Sequence, residues 1–137
     1  MKSRSKAREI AFKVLFAVDR GGSSIPDAFS LFQYEPPVVL EYSLRLVNGV
    51  FKYIDEIDKI IEGSLKNWEF DRISVPDKEI LRLALFEIDY VDGIDDGVVV
   101  YETVEIAKKY GTDKSSNFIN GILREILRGR KNEPKEI

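Results

Sequence analysis

The side chains that most often carry catalysis are missing from this chain: it has no histidine and no cysteine. Their absence removes imidazole general bases, Ser-His-Asp and Cys-His nucleophiles, thiolate metal sites and disulfides. An enzyme built on this sequence would have to use carboxylates, lysine, tyrosine or a bound Mg²⁺. The densest acidic group is Asp92, Asp95 and Asp96, interleaved with Gly93 and Gly97, and it reads as an acidic turn rather than a metal centre. A different chemistry is suggested at the start. Lys2, Arg4, Lys6 and Arg8 lie before and within the first turns of a predicted helix. The helix dipole disfavours cations there, so they cost stability where they stand. Phe12 and Phe16 follow at a spacing that places both on one side of that helix, as a stacking surface or as core aromatics. Cations hold phosphates, and aromatic faces hold unpaired bases at about 1–3 kcal/mol each.

A second unusual stretch is Ser115 to Arg124, an apolar helix start that carries Asn117, Asn120 and Gly121. Glycine inside a helix costs about 1 kcal/mol against alanine. Gly121 is therefore expected where another backbone approaches closely, with Asn120 making local hydrogen bonds. Lys114 and Phe118 stand at the exposed start of this helix.

The 137 residues carry a net charge of −3, with 44% hydrophobic and 33% charged residues, an ordinary globular mixture. The charge is unevenly spread. Residues 1–20 hold six Lys/Arg against two Asp/Glu, and residues 114–137 hold six against three, while the middle is acidic. Should the two ends meet, they would form one positive face on an acidic body. There is no apolar run of about 18 residues to span a membrane, and the amphipathic residues after Met1 do not resemble a signal peptide. These features predict a cytoplasmic protein.

The elements that must position these groups are helices. Ala7, Ile10, Ala11, Val14, Leu15 and Val18 predict a first helix over residues 5–19, stopped by Gly21-Gly22. Ser24, Pro26 and Asp27 start a short second helix through Gln33. The third runs from Val38 to Lys52 and the fourth from Ile54 to Leu65. A connector with the single tryptophan, Trp68, leads to Ser74-Val75-Pro76-Asp77, which opens the fifth. That helix is apolar over most of its circumference to Tyr90, which predicts a central position, with Arg82 and Glu87 finding partners. The β-branched Val98-Val99-Val100 is assigned to a sixth helix, Gly97 to Tyr110, because Val104 and Ala107 continue at helical spacing. Gly111 ends it, Thr112 or Asp113 caps the seventh, and that helix reaches Arg128. The expected fold is all-α, a compact bundle of about seven helices. It forms a single domain over residues 1–130, followed by a charged, disordered tail at 131–137. With structure expected up to that tail, the sequence reads as a whole protein.

Taken in order, four blocks resemble the NusB family of transcription antitermination factors. They are Ala7-Arg8-Glu9 with Ala11, Leu15-Phe16 and Asp19; Trp68 to Arg72-Ile73; Asp77-Lys78 with Ile80 to Ala84 and Glu87; and Glu102 to Gly111 running into Ser115, Phe118 and Ile119 to Leu123. The resemblance implies two helical sub-bundles. It also implies a non-enzymatic RNA-binding factor, without a cofactor, that pairs with the ribosomal protein NusE on boxA RNA. Through other Nus factors and RNA polymerase it would support transcription of ribosomal RNA operons. By this resemblance RNA contacts fall on Lys2, Arg4, Lys6, Arg8, Phe16, Lys114 and Phe118, and the NusE contact on Asp77. Phe16 stands where the family usually has tyrosine, Lys114 where an acidic residue is common, Tyr101 in place of a usual asparagine, and Ser5 at a commonly basic position.

Two other classes compete. NusB-like domains are also fused to ribosomal RNA cytosine methyltransferases, but such an enzyme needs a catalytic cysteine and a Rossmann-like domain, which this sequence lacks. The alternative function is a structural or homodimeric interaction module without RNA activity of its own, since some family members are homodimers that hide the RNA face.

Overall fold

The computed structural model describes residues 2–66 and 69–131, and among these every regular element is helical. Seven α-helices follow one another: α1 (Lys2–Gly21), α2 (Ile25–Phe29), α3 (Pro37–Lys52), α4 (Ile54–Ser64), α5 (Val75–Tyr90), α6 (Asp96–Tyr110) and α7 (Ser115–Lys131). Two 3₁₀ turns, Ser30–Phe32 and Phe70–Arg72, extend α2 and lead into α5. Trp68 and the tail beyond Lys131 lie outside the described residues.

The helix ends follow from local chemistry. Ser24 and Ser74 each accept a hydrogen bond from the backbone N–H three residues on, at 3.2 and 3.4 Å, with proline in the first turn of α2 and α5. Gly22, at φ +71°, turns the chain out of α1, and the Ser23 N–H reaches back to the Ala17 carbonyl. Asp95 caps α6, so the valine run is helix, as its spacing predicts. Of the two candidates for α7, Thr112 does the work: its hydroxyl accepts from the Lys114 N–H, and Ser115 accepts from the Thr112 N–H.

α1 packs on α2 and α3, while α4, α6 and α7 pack around α5, which also meets α1 and α3. These are the two expected sub-bundles, and α5 belongs to both. Its residues from Ile80 to Phe86 are all buried. One core runs through the molecule, from Ala7, Val14 and Leu15 on α1 to Ile119 and Leu123 on α7.

Gly121 does not have the expected role. It is exposed, and a Cβ there would meet nothing within 4 Å, so no helix approaches it. Asn120 does make a local bond, accepting from the Arg124 guanidinium one turn on at 3.1 Å. The close approach lies at Gly49 instead, where a Cβ would sit 2.0 Å from the Phe86 ring and α3 crosses α5.

Candidate nucleic-acid interface

At about 100° per residue, α1 turns Lys2, Lys6, Glu9, Lys13, Phe16 and Arg20 into one sector roughly 80° wide. The opposite side carries Ala7, Ile10, Ala11, Val14 and Leu15, all at most 1% exposed. The core face therefore fixes the outward face, and that face is largely cationic. It extends for roughly 21 Å from Lys2 to Phe16 at 1.5 Å per residue.

The four expected N-terminal cations do not share this face. Lys2 and Lys6 are exposed on it, and Lys6 makes only a loose ion pair with Glu35 at 3.8 Å. Arg4 turns away, its guanidinium 4.7 Å from the centre of the Tyr42 ring. Arg8 corrects the expectation of a phosphate contact. It is 2% exposed, and its guanidinium grips Glu87 through two bonds, Nε to Oε1 at 2.7 Å and Nη2 to Oε2 at 2.8 Å. Nη1 donates to Glu102 at 3.1 Å, and Tyr42 also donates to Glu87. Burial works against the charge on Arg8, but the hydrogen bond and charge of Glu87 outweigh it and raise the arginine pKa. Arg8 is thus a pin between α1, α5 and α6.

Reading the first turns as a cluster missed Lys13, although its helical position was legible. Lys13 lies 5.5 Å from the Tyr110 ring and 5.9 Å from the Phe32 ring. Lys109, on α6, bonds to Glu9 at 2.9 Å, and Tyr110 donates to the same carboxylate. Desolvation pushes the Glu9 pKa up, yet these bonds and the charges of Lys109 and Lys13 bring it below its usual value. The one carboxylate on the stripe is therefore ionised and surrounded by cations.

Phe16 is half-buried and, with Phe12, Lys13, Pro76 and Tyr110, lines a groove of about 220 Å³. Phe12 itself is core at 4% exposure and packs on Tyr110 with ring centres 5.2 Å apart. Tyr110 ends α6, and α7 begins five residues further on. Lys114 is exposed there, while Phe118 is half-buried against the core and offers part of its ring. Asp77 is buried in the first turn of α5, and its Oδ1 has no hydrogen-bond partner among the described residues.

At the far end of α7, Arg130 meets Asp89 on α5. Among the described residues, no group of three acidic side chains is placed to hold a metal ion, and no helix is long and apolar enough to cross a membrane.

Comparison with solved structures defines the class as the helical antitermination factors. A crystal structure of antitermination factors NusB and NusE in complex with dsRNA superimposes with a TM-score of 0.85 at 30% identity, covering 94% of this chain and 98% of that one. The solution structure of NusB from Aquifex aeolicus matches with a TM-score of 0.77 at 31% identity, covering 100% and 97%. Among sequences, the transcription antitermination protein NusB of Streptomyces griseus is 40% identical over 129 residues, 90% of each chain. That of Listeria welshimeri is 41% identical over 123 residues, 90% of this chain and 94% of its own. The NusB family model matches residues 5–128, and the chain belongs to the NusB family. It is accordingly a transcription antitermination protein and not an enzyme.

Proposed function

We propose that the chain binds boxA-type single-stranded RNA together with NusE and so supports processive transcription of ribosomal RNA operons, reaching other Nus factors and RNA polymerase through that complex. The observation that carries this reading is the outward stripe of α1, where Lys2, Lys6, Lys13 and Arg20 stand beside the half-buried Phe16. Cations in a row track a phosphate backbone, and an aromatic edge beside them accepts an unstacked base. Lys114, exposed just before α7, and Phe118, half-buried on it, would add a cation and a ring to the same interface. Asp77 supports a protein contact near the same place. A buried acceptor without a partner among the described residues costs stability, and a donor from NusE would relieve it.

The test is RNA binding measured over a salt series, with a boxA-type single strand and with a duplex of the same sequence, each with and without NusE. Alanine at Lys2, Lys6 or Lys13 is expected to weaken binding, each lowering the log–log salt slope by about 0.7 for a single strand. Unchanged affinity and slope in all three variants would remove the α1 stripe from the interface. Mass measurement of the chain alone and with NusE shows in the same samples whether a homodimer gives way to a one-to-one complex.

A further inference from the structure

At the N-terminal end of α1 the stripe borders a second surface. α6 begins beside it, and between the two helices lies a groove of about 660 Å³ lined by Lys2 and Ser5 on one side and Asp95, Val98, Tyr101 and Glu102 on the other. Tyr101 is 64% exposed and Val98 47% exposed, though both stand on a helix whose buried face has ample apolar residues. The carboxylate of Glu105, one turn on, raises the Tyr101 hydroxyl pKa. Glu102 faces the groove but is already engaged by Arg8 and Ser5.

We infer that Tyr101 is a base-stacking platform on α6 for a nucleotide whose phosphate is held by Lys2 across the groove. The inference rests on the RNA-binding reading of α1 and extends it to a residue outside that helix. The charges decide how a strand would lie. Asp95, Asp96 and Glu105 repel phosphate, so the backbone follows the cations of α1 and the base turns toward Tyr101. Stacking on an exposed aromatic is indifferent to base identity, because every base has a π-face. A strand lying over α1 alone would leave Tyr101 idle.

The experiment uses the full chain and a fluorescently labelled boxA-type single-stranded RNA. Tyr101→Ala is expected to weaken binding roughly 5- to 150-fold with the salt slope unchanged, since stacking releases no counterions. Tyr101→Phe and Tyr101→Trp are expected to bind within about twofold of the parent, because the ring does the work. Abasic substitution along the RNA is expected to find one position that weakens the parent chain and has no further effect on Tyr101→Ala. If Tyr101→Ala binds like the parent while Lys6→Ala is weakened, the α1 interface stands and the platform is wrong. If neither variant changes binding, the α1 reading itself has failed. A salt slope lowered by Tyr101→Ala would also overturn the platform, because it would place the residue on a phosphate path. Tighter capture of a Lys/Arg-rich peptide than of the RNA by this groove would reassign it to a basic protein.

Discussion

Arg8→Met separates a structural cation from a functional one. In the native chain Arg8 and Glu87 are joined by two bonds of 2.7 and 2.8 Å, with side chains 3% and 0% exposed. Methionine retains most of the aliphatic length and removes the charge. Glu87 is then buried with only the Tyr42 hydroxyl as partner, and Glu102 loses its 3.1 Å contact. Removing one member of a buried pair costs about 3–5 kcal/mol, because the other charge is left uncompensated. With a urea m-value of about 2 kcal/mol/M, this moves the unfolding midpoint down by roughly 2 M. Circular dichroism against urea, at constant m, reads the shift. Arg8→Met with Glu87→Leu is expected to recover much of the loss, since the orphaned charge is gone. The contrast is Lys6→Ala, exposed on the same helix. It should change stability by no more than about 0.5 kcal/mol and lower the RNA salt slope by about 0.7. The reasoning fails if Arg8→Met keeps the parental midpoint and loses salt slope, for Arg8 would then be a phosphate ligand.

The two glycines are expected to respond with opposite signs. Gly49→Ala drives a methyl group into the Phe86 ring, which is buried beside the stacked pair of Tyr53 and Tyr90, and overpacking of this kind costs about 1–3 kcal/mol. Gly121→Ala has open space and should raise stability by about 1 kcal/mol; a thermal midpoint that falls instead would mean that the site is packed. Glu79, buried beside Asp19 and Arg82, is pushed up to about 8, first by desolvation and then by its hydrogen bond to Asp19, against the pull of Arg82. Between its ordinary value of 4.5 and about 8 the folded chain holds a proton that the unfolded chain releases. The stabilisation is therefore full below 4.5 and is lost as pH rises through about 8, a change of a few kcal/mol at most. Urea midpoints from pH 5 to 8.5 should fall more steeply for the parent than for Glu79→Gln, and parallel curves would exclude the linkage.

The helices were legible because their signals are local. Serine and proline at the starts of α2 and α5, Gly22 after α1 and the apolar spacing of α1 and α5 act within a few residues. The outward face of α1 was legible by half. The placement of Lys2, Lys6 and Phe16 on one side could be read, and that of Lys13 could have been, by carrying the helical angle one turn further. What misled at Arg8 is that charge was read without its angle: it lies about 120° from Lys2 around the axis, on the packed side. Its partners Glu87 and Glu102 are 79 and 94 residues away, and no local pattern carries such a pairing. Gly49 was missed for the same reason, since a tight crossing is a property of two helices, and Gly121 was overread because an exposed glycine looks identical in sequence to a packed one.

The same long-range pairs explain why the stripe on α1 faces outward at all. Apolar packing alone tolerates rotation of a helix about its axis, because aliphatic contacts are non-directional. Directional pins do not. Near one end of α1, Arg8 is held by Glu87 and Glu102; near the other, Asp19 lies 3.4 Å from Arg82, which also grips Asp58 at 2.8 Å and Glu79 at 3.1 Å. A rotation of one residue, about 100°, would break both pins and turn Lys6 and Lys13 toward the core. The buried ions near the two ends of α1 thus fix the direction of the exposed ones between and beside them. That assigns the arginines of the first and third sequence blocks to orientation. Replacing both pins by apolar side chains of similar size should accordingly leave a folded chain whose RNA affinity falls although every lysine is retained, and undiminished affinity in that variant would show that packing alone sets the rotation.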